Sequence, residues 1–104
     1  MSIYFVLYGR ASCKYCEKAK QLLSDLKVPY TYYDALSSPE WFQTFKPILV
    51  EKPKSIPLVF RGSPTDALPD INNIDSFRTW TFIGSYFDLE EYMDNLSTDL
   101  TSDY

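Results

Sequence analysis

The chain has 104 residues, which suits one domain and leaves little room for a second. Its composition, 45% hydrophobic and 17% aromatic, supports one packed core and excludes a disordered chain. Histidine is absent, which removes Cys-His proteases, imidazole bases and His-containing zinc sites, and a net charge of −4 without a basic-aromatic stripe argues against nucleic acid.

Ile3 to Tyr8 is an apolar run rich in strand formers, closed by Gly9, and reads as a buried strand. A helix follows from about Cys13 to Leu26, because Ala19, Leu22, Leu23 and Leu26 recur at helical spacing on one face. Ser12 is placed to cap it, and Pro29 prevents it from running on. Tyr30 to Tyr33 reads as a second strand, and a crossover of this length implies parallel pairing. Ser37 or Ser38, with Pro39, opens a short second helix to Phe45. Lys46 to Ser55 holds two prolines and is expected to be mostly irregular. Leu58 to Arg61 is a third strand, entered through Pro57, and Gly62 to Ser76 reads as a loop. Thr79 to Ile83 is a fourth strand, ended by Gly84. Ser85 and Asp88 are spaced as a capping box for a last helix to about Leu96, followed by a frayed polar tail. The order β-α-β, helix, β, β, α matches the α/β thioredoxin-like arrangement, a four-stranded mixed sheet flanked by helices with the last two strands antiparallel.

Charge is unevenly spread. Residues 1–62 carry nine Lys or Arg against five acids, whereas residues 63–104 carry Arg78 alone against nine acids. This is either solvated surface or a basic half that surrounds a site for anionic ligands. The start of the chain lacks the basic n-region, long apolar stretch and cleavage site of a signal peptide. No run approaches the roughly 20 apolar residues of a membrane span. The expectation is a cytoplasmic protein without membrane contact, whose thiols are kept reduced.

The two cysteines form Cys13-Lys14-Tyr15-Cys16 at a strand-to-helix junction. Two thiols and no histidine cannot complete a structural zinc site within one chain, so no metal is expected. Thiol–disulfide exchange needs a thiolate, and a helix N-terminus supplies unpaired N–H donors and the positive end of the dipole. Lys14 beside Cys13 and Arg10 upstream add positive charge. Cys13 therefore reads as the attacking thiol, and Cys16, covered by the helix, as the resolving one.

These residues resemble the glutaredoxin family. Tyr8 to Cys16 is similar to its aromatic-x-Lys-x-x-Cys-Pro-Tyr-Cys segment, with Arg10 in place of the usual Lys. Ser55-Ile56-Pro57 resembles its Thr-Val-Pro element, and Ile83 to Leu89 its Ile-Gly-Gly-x-Asp-Asp-Leu element. The resemblance implies a glutathione-dependent reductase of protein disulfides and glutathione mixed disulfides, with catalytic Cys13 and Cys16. It further implies a cis Pro57 facing the cysteines and a glutathione lying along the Ile56 backbone as an added strand. Arg10, or one of Lys46, Lys52 and Lys54, would meet the glycyl carboxylate, and Tyr15 would wall the site or pack in the core. The γ-glutamyl end would meet the start of the last helix around Tyr86, Phe87 and Asp88. Read singly, Pro57 suits a trans edge-strand position, Gly84 a turn, and Asp88 a helix cap.

Three departures stand out. Lys14 replaces the usual Pro, which is expected to lower the Cys13 pKa and to alter the redox potential, about −200 to −230 mV in the family. Ser85 replaces the second Gly and Phe87 stands where Asp or Ser is common, so a side-chain contact to glutathione is expected to be lost there while backbone contacts remain. The 62–78 connection is longer than usual and either decorates the fold or meets a partner. Alternative readings are a [2Fe–2S] carrier in which two chains and two glutathiones hold the cluster through Cys13, and a thioredoxin-like donor reduced by a flavoprotein. A redox-switched binding protein like the Spx and arsenate-reductase group shares the opening but not the later elements. Ribonucleotide reductase is a common family client, a monomer is the expected state, and the short chain with its long loop is similar to phage or viral members.

Overall fold

The computed structural model describes residues 3–37, 40–48 and 56–101. Strand β1 (Tyr4–Gly9) is followed by helix α1 (Lys14–Asp25), strand β2 (Tyr30–Asp34), short helix α2 (Trp41–Phe45), strand β3 (Leu58–Gly62), strand β4 (Thr81–Gly84) and helix α3 (Tyr86–Thr101). One sheet results, in the order β2-β1-β3-β4. β1 pairs parallel with β2 and antiparallel with β3, and β3 pairs antiparallel with β4. This is the thioredoxin-like arrangement that the element order predicts.

β1 lies inside the sheet, and both of its faces are covered. That is why Phe5-Val6-Leu7-Tyr8 is apolar without alternation. Phe5 and Leu7 face α1 and α3, packing with Ala19, Leu23, Leu89 and Met93. Val6 and Tyr8 face the other side, packing with Leu36, Phe45, Phe77 and Trp80. The second layer holds a cluster of rings: Tyr8 stacks on Tyr33 at 5.3 Å and meets Phe45 at 5.1 Å.

Two helix ends differ from the sequence expectation. Cys13, not Ser12, is the N-cap of α1: its Sγ accepts a hydrogen bond from the Cys16 N–H at 3.1 Å. Ser12 sits one residue outside, in the left-handed region at φ 60°, where it turns the chain into the helix. At the other end α1 stops at Asp25, and Leu26, expected on the buried face, is exposed at the cap. Lys27 adopts φ 58°, and the N–H groups of Lys27 and Val28 donate to the carbonyls of Ser24 and Leu23. This closing pattern reverses the chain before Pro29. The apolar face of α1 accordingly begins earlier, at Cys16, and continues through Ala19 and Leu23.

Among the described residues α2 begins at Trp41, and Pro39 lies outside them. Lys46–Ile48 forms a 3-10 turn where irregular chain was expected, and the rest of that stretch lies outside the described residues. α3 runs to Thr101, past the expected end near Leu96.

The 62–78 connection closes on itself. Ser63 N–H donates to Asp66, Asn72 N–H to Asp70, and Ser76 Oγ to the Asp70 and Asn73 carbonyls. A 3-10 turn, Ile74–Phe77, then buries Phe77 in the ring cluster. Trp80 N–H completes that turn on Phe77 O, so β4 starts at Thr81 and not at Thr79. The indole N–H of Trp80 donates to Ala67 O at 3.0 Å and ties the loop to the core.

Candidate active site

The end of β1, the start of α1 and the entry to β3 meet at Cys13. Cys13 and Cys16 are joined by a disulfide with Cα atoms 5.2 Å apart. Cys13 is 9% exposed and Cys16 only 1%, so one sulfur faces the surface and the other faces the interior. Helical geometry sets this difference: Cys13 caps the helix from outside, while Cys16 lies one turn in, on the buried face.

Gly9 allows this closeness. A Cβ at Gly9 would stand 2.5 Å from Cys16 Sγ and 2.6 Å from Tyr32 Oη. β1 therefore ends in the one residue that admits both atoms. Tyr32 Oη donates to the Arg10 carbonyl at 3.3 Å, which anchors the turn leading into the helix.

Cys13 opens on two grooves. One, of about 370 Å³, is lined by Arg10, Ser12, Cys13, Lys14, Tyr15, Trp41 and Ile56. The other, of about 400 Å³, lies between Arg10, Lys14, Glu17, Lys20, Tyr32 and Asp34. Arg10 and Lys14 border both and are exposed. Lys20 pairs with Glu17 and lies 4.3 Å over the Tyr32 ring. The helix N-terminus and these cations favour negative charge at Cys13 once its bond to Cys16 opens.

The Ile56–Pro57 peptide bond is cis, as the resemblance implied. Pro57 is buried, and Ile56 lines the first groove with Cys13 and Arg10. Tyr15 walls that groove and stacks on Tyr86 at 5.8 Å, with Phe87 at 5.2 Å. Phe87 is 55% exposed, so this aromatic group stands at the surface beside the cysteines. Asp88 Oδ2 accepts from the Ser85 N–H at 2.9 Å, the half of the predicted capping box that reaches back to the cap residue, and from Ser85 Oγ at 3.3 Å. Both bonds use one oxygen. Gly84, at φ 132°, makes the turn that brings Asp88 back over the strand end.

Of the candidate residues, Arg10, Cys13, Tyr15 and Ile56 line one groove, Cys16 and Pro57 are buried beside it, and Phe87 joins it through Tyr15. Ser55, Lys52 and Lys54 lie outside the described residues. Lys46 is exposed and is not among the residues that line the groove. Sequence reading missed Trp41 and Tyr32. Trp41 reaches the groove from α2, and only tertiary contact places it there. Tyr32 arrives through the parallel pairing of β2 with β1, where it lies opposite Leu7.

A thioredoxin-like fold with a cysteine pair at the first turn of its first helix defines a thiol–disulfide oxidoreductase. The glutaredoxin family model matches residues 5–63, more than half of the sequence. The chain belongs to the glutaredoxin family. In structure it is similar to glutaredoxin 1 from Francisella tularensis, solved complexed with cacodylate, with a TM-score of 0.59 and 18% identity. The match covers 93% of this chain and 99% of that one, and at this identity it speaks for the fold. No curated protein matches the sequence.

Proposed function

We propose that the chain is a glutathione-dependent reductase of protein disulfides and of glutathione mixed disulfides. The observation that carries this reading is the division of the pair: Cys13 opens on a groove shared with Ile56, and Cys16 is buried behind it. The Cys13 thiolate attacks one sulfur of a substrate disulfide, and the other sulfur leaves as a thiolate that takes a proton from water. The Cys16 thiolate then attacks Cys13 Sγ, releasing the reduced substrate and closing the Cys13–Cys16 bond. One glutathione thiolate reopens that bond by forming a mixed disulfide on Cys13. A second glutathione releases oxidised glutathione and restores the dithiol. For a glutathionylated substrate, Cys13 alone suffices.

Glutathione is assigned to the Ile56 groove, its cysteinyl backbone bonding to the Ile56 N–H and C=O as an added strand. Arg10 meets the glycyl carboxylate, Tyr15 forms the wall, Pro57 flanks the edge, and Ser55 is assigned to the ligand on the family resemblance alone. At the other end the first turn of α3, around Phe87, takes the γ-glutamyl carboxylate, and Asp88 Oδ1 takes its ammonium. Substrates are disulfide-bearing proteins, the protein acts as a monomer, and the cytoplasm is its compartment. Among the described residues no helix is long and apolar enough to cross a membrane.

The test is disulfide reduction coupled to glutathione, glutathione reductase and NADPH, with wild type and Cys13→Ser. Turnover that is lost in Cys13→Ser supports the reading. No turnover with glutathione, but turnover with a flavoprotein thioredoxin reductase, would overturn it.

A further inference from the structure

The resolving thiol raises a physical problem that the reaction scheme leaves open. Cys16 is 1% exposed, and burial disfavours the thiolate it must become. Its backbone N–H is already committed to Cys13 Sγ at 3.1 Å. The helix N-terminus and the exposed cations serve Cys13, which stands outside.

Tyr32 is placed to help. A Cβ on Gly9 would touch Cys16 Sγ and Tyr32 Oη together, at 2.5 and 2.6 Å, so these two atoms lie within about 5 Å of each other. In the disulfide form the hydroxyl donates to Arg10 O across a long 3.3 Å. Only a swing of the whole ring about its Cα–Cβ bond carries the hydroxyl toward the sulfur, and the missing Cβ of Gly9 leaves the space between them open. The ring is held by Lys20, whose ammonium lies 4.3 Å from its centroid. Burial keeps the Tyr32 hydroxyl protonated beyond the ordinary tyrosine range, the largest cause being desolvation, opposed by Lys20. At neutral pH it is therefore a donor.

We propose that Tyr32 is a positioning residue for the resolving step, its hydroxyl leaving Arg10 O in the reduced protein to donate a hydrogen bond to the Cys16 thiolate. The step balances without any added reagent. Cys16 gives up its proton to water, its sulfur attacks Cys13 Sγ, and the bond from Cys13 to the substrate sulfur breaks. The leaving thiolate takes a proton from water, and Tyr32 keeps its own throughout. The charged groups around this locus are Arg10 from the turn, Lys14, Glu17 and Lys20 from α1, and Asp34 from β2.

The proposal rests on the dithiol reaction but not on glutathione, so dithiothreitol serves as the redox partner and separates the two. The experiment compares wild type with Tyr32→Phe, which keeps the ring and its packing. The equilibrium between dithiol and disulfide is measured from acid to alkaline pH. Thiolate absorbance is followed in the reduced proteins. The thiolate hydrogen bond predicts coincident equilibria at low pH, where both thiols are protonated in both proteins. Above the Cys16 titration, Tyr32→Phe shifts toward the disulfide by about tenfold or more, the worth of one hydrogen bond to a charged group. The later of the two thiol titrations moves to higher pH in the variant. Coincident curves at all pH values, or a constant offset independent of pH, would overturn the assignment.

Discussion

Gly9 has a steric role at the redox pair. Two side chains from different elements, Cys16 from α1 and Tyr32 from β2, fill the space a Cβ would take. Replacement by Ala must move a buried sulfur held in a disulfide, and overpacking of this kind costs about 1–3 kcal/mol. Gly9→Ala is expected to lower the unfolding free energy of the oxidised protein by that amount in urea denaturation. An unchanged midpoint would show that the helix start yields easily, and that the sulfur position is not fixed by β1. The same residue illustrates what the sequence leaves hidden. Glycine after an apolar strand reads as a stop, and nothing local says which atoms approach it.

At the scale of elements, the junctions into α1 and α3 do the chemical work. Asp88 belongs to a cap spaced within three residues, so it is legible in the sequence and present in the structure. Its proposed second task, holding an ammonium, separates from the first by substitution. Asp88→Ala removes the acceptor for Ser85 N–H and is expected to cost about 1 kcal/mol of stability. Asp88→Asn keeps an acceptor oxygen while removing the charge. It should retain most of that stability and raise the KM for glutathione severalfold, with kcat little changed. Equal KM values for wild type and Asp88→Asn would remove Asp88 from the ligand site and leave it a cap. The start of α1 was less legible. The sequence reads Ser12 as the cap, and the left-handed turn at Ser12, a backbone property that composition does not report, passes that place to Cys13.

Across the whole molecule, the order of elements predicts the mixed sheet and one uninterrupted apolar run predicts that β1 is covered on both faces, which is why the architecture could be read ahead of the structure. The other sheet face could not. Its cover combines Leu36, Phe45, Phe77 and Trp80, the last two tied to a connection that reads only as polar loop. Tyr8 stands at the centre of this cover, its hydroxyl donating to Pro69 O at 3.4 Å. Burial, with Tyr33 and Asp70 nearby, holds the Tyr8 hydroxyl protonated well above the ordinary tyrosine range. The unfolded chain loses this proton first, so unfolding releases protons at alkaline pH and stability falls as pH rises. Urea denaturation is expected to show this decline above about pH 10 and a shallower one in Tyr8→Phe. Equal slopes for the two proteins would mean that the hydroxyl ionises freely, and that the loop does not shield it.

The central claim is that Cys13 is the nucleophile and glutathione its partner. It is tested most directly by trapping the intermediate. Cys16→Ser and Cys13→Ser are each reduced, exposed to oxidised glutathione, and examined by mass spectrometry with peptide mapping. The account predicts one glutathionyl group on Cys13 in Cys16→Ser, formed rapidly and removed by added glutathione, and slow or no reaction at Cys16 in Cys13→Ser. Absence of the Cys13 adduct, or equally fast reaction at Cys16, would contradict it.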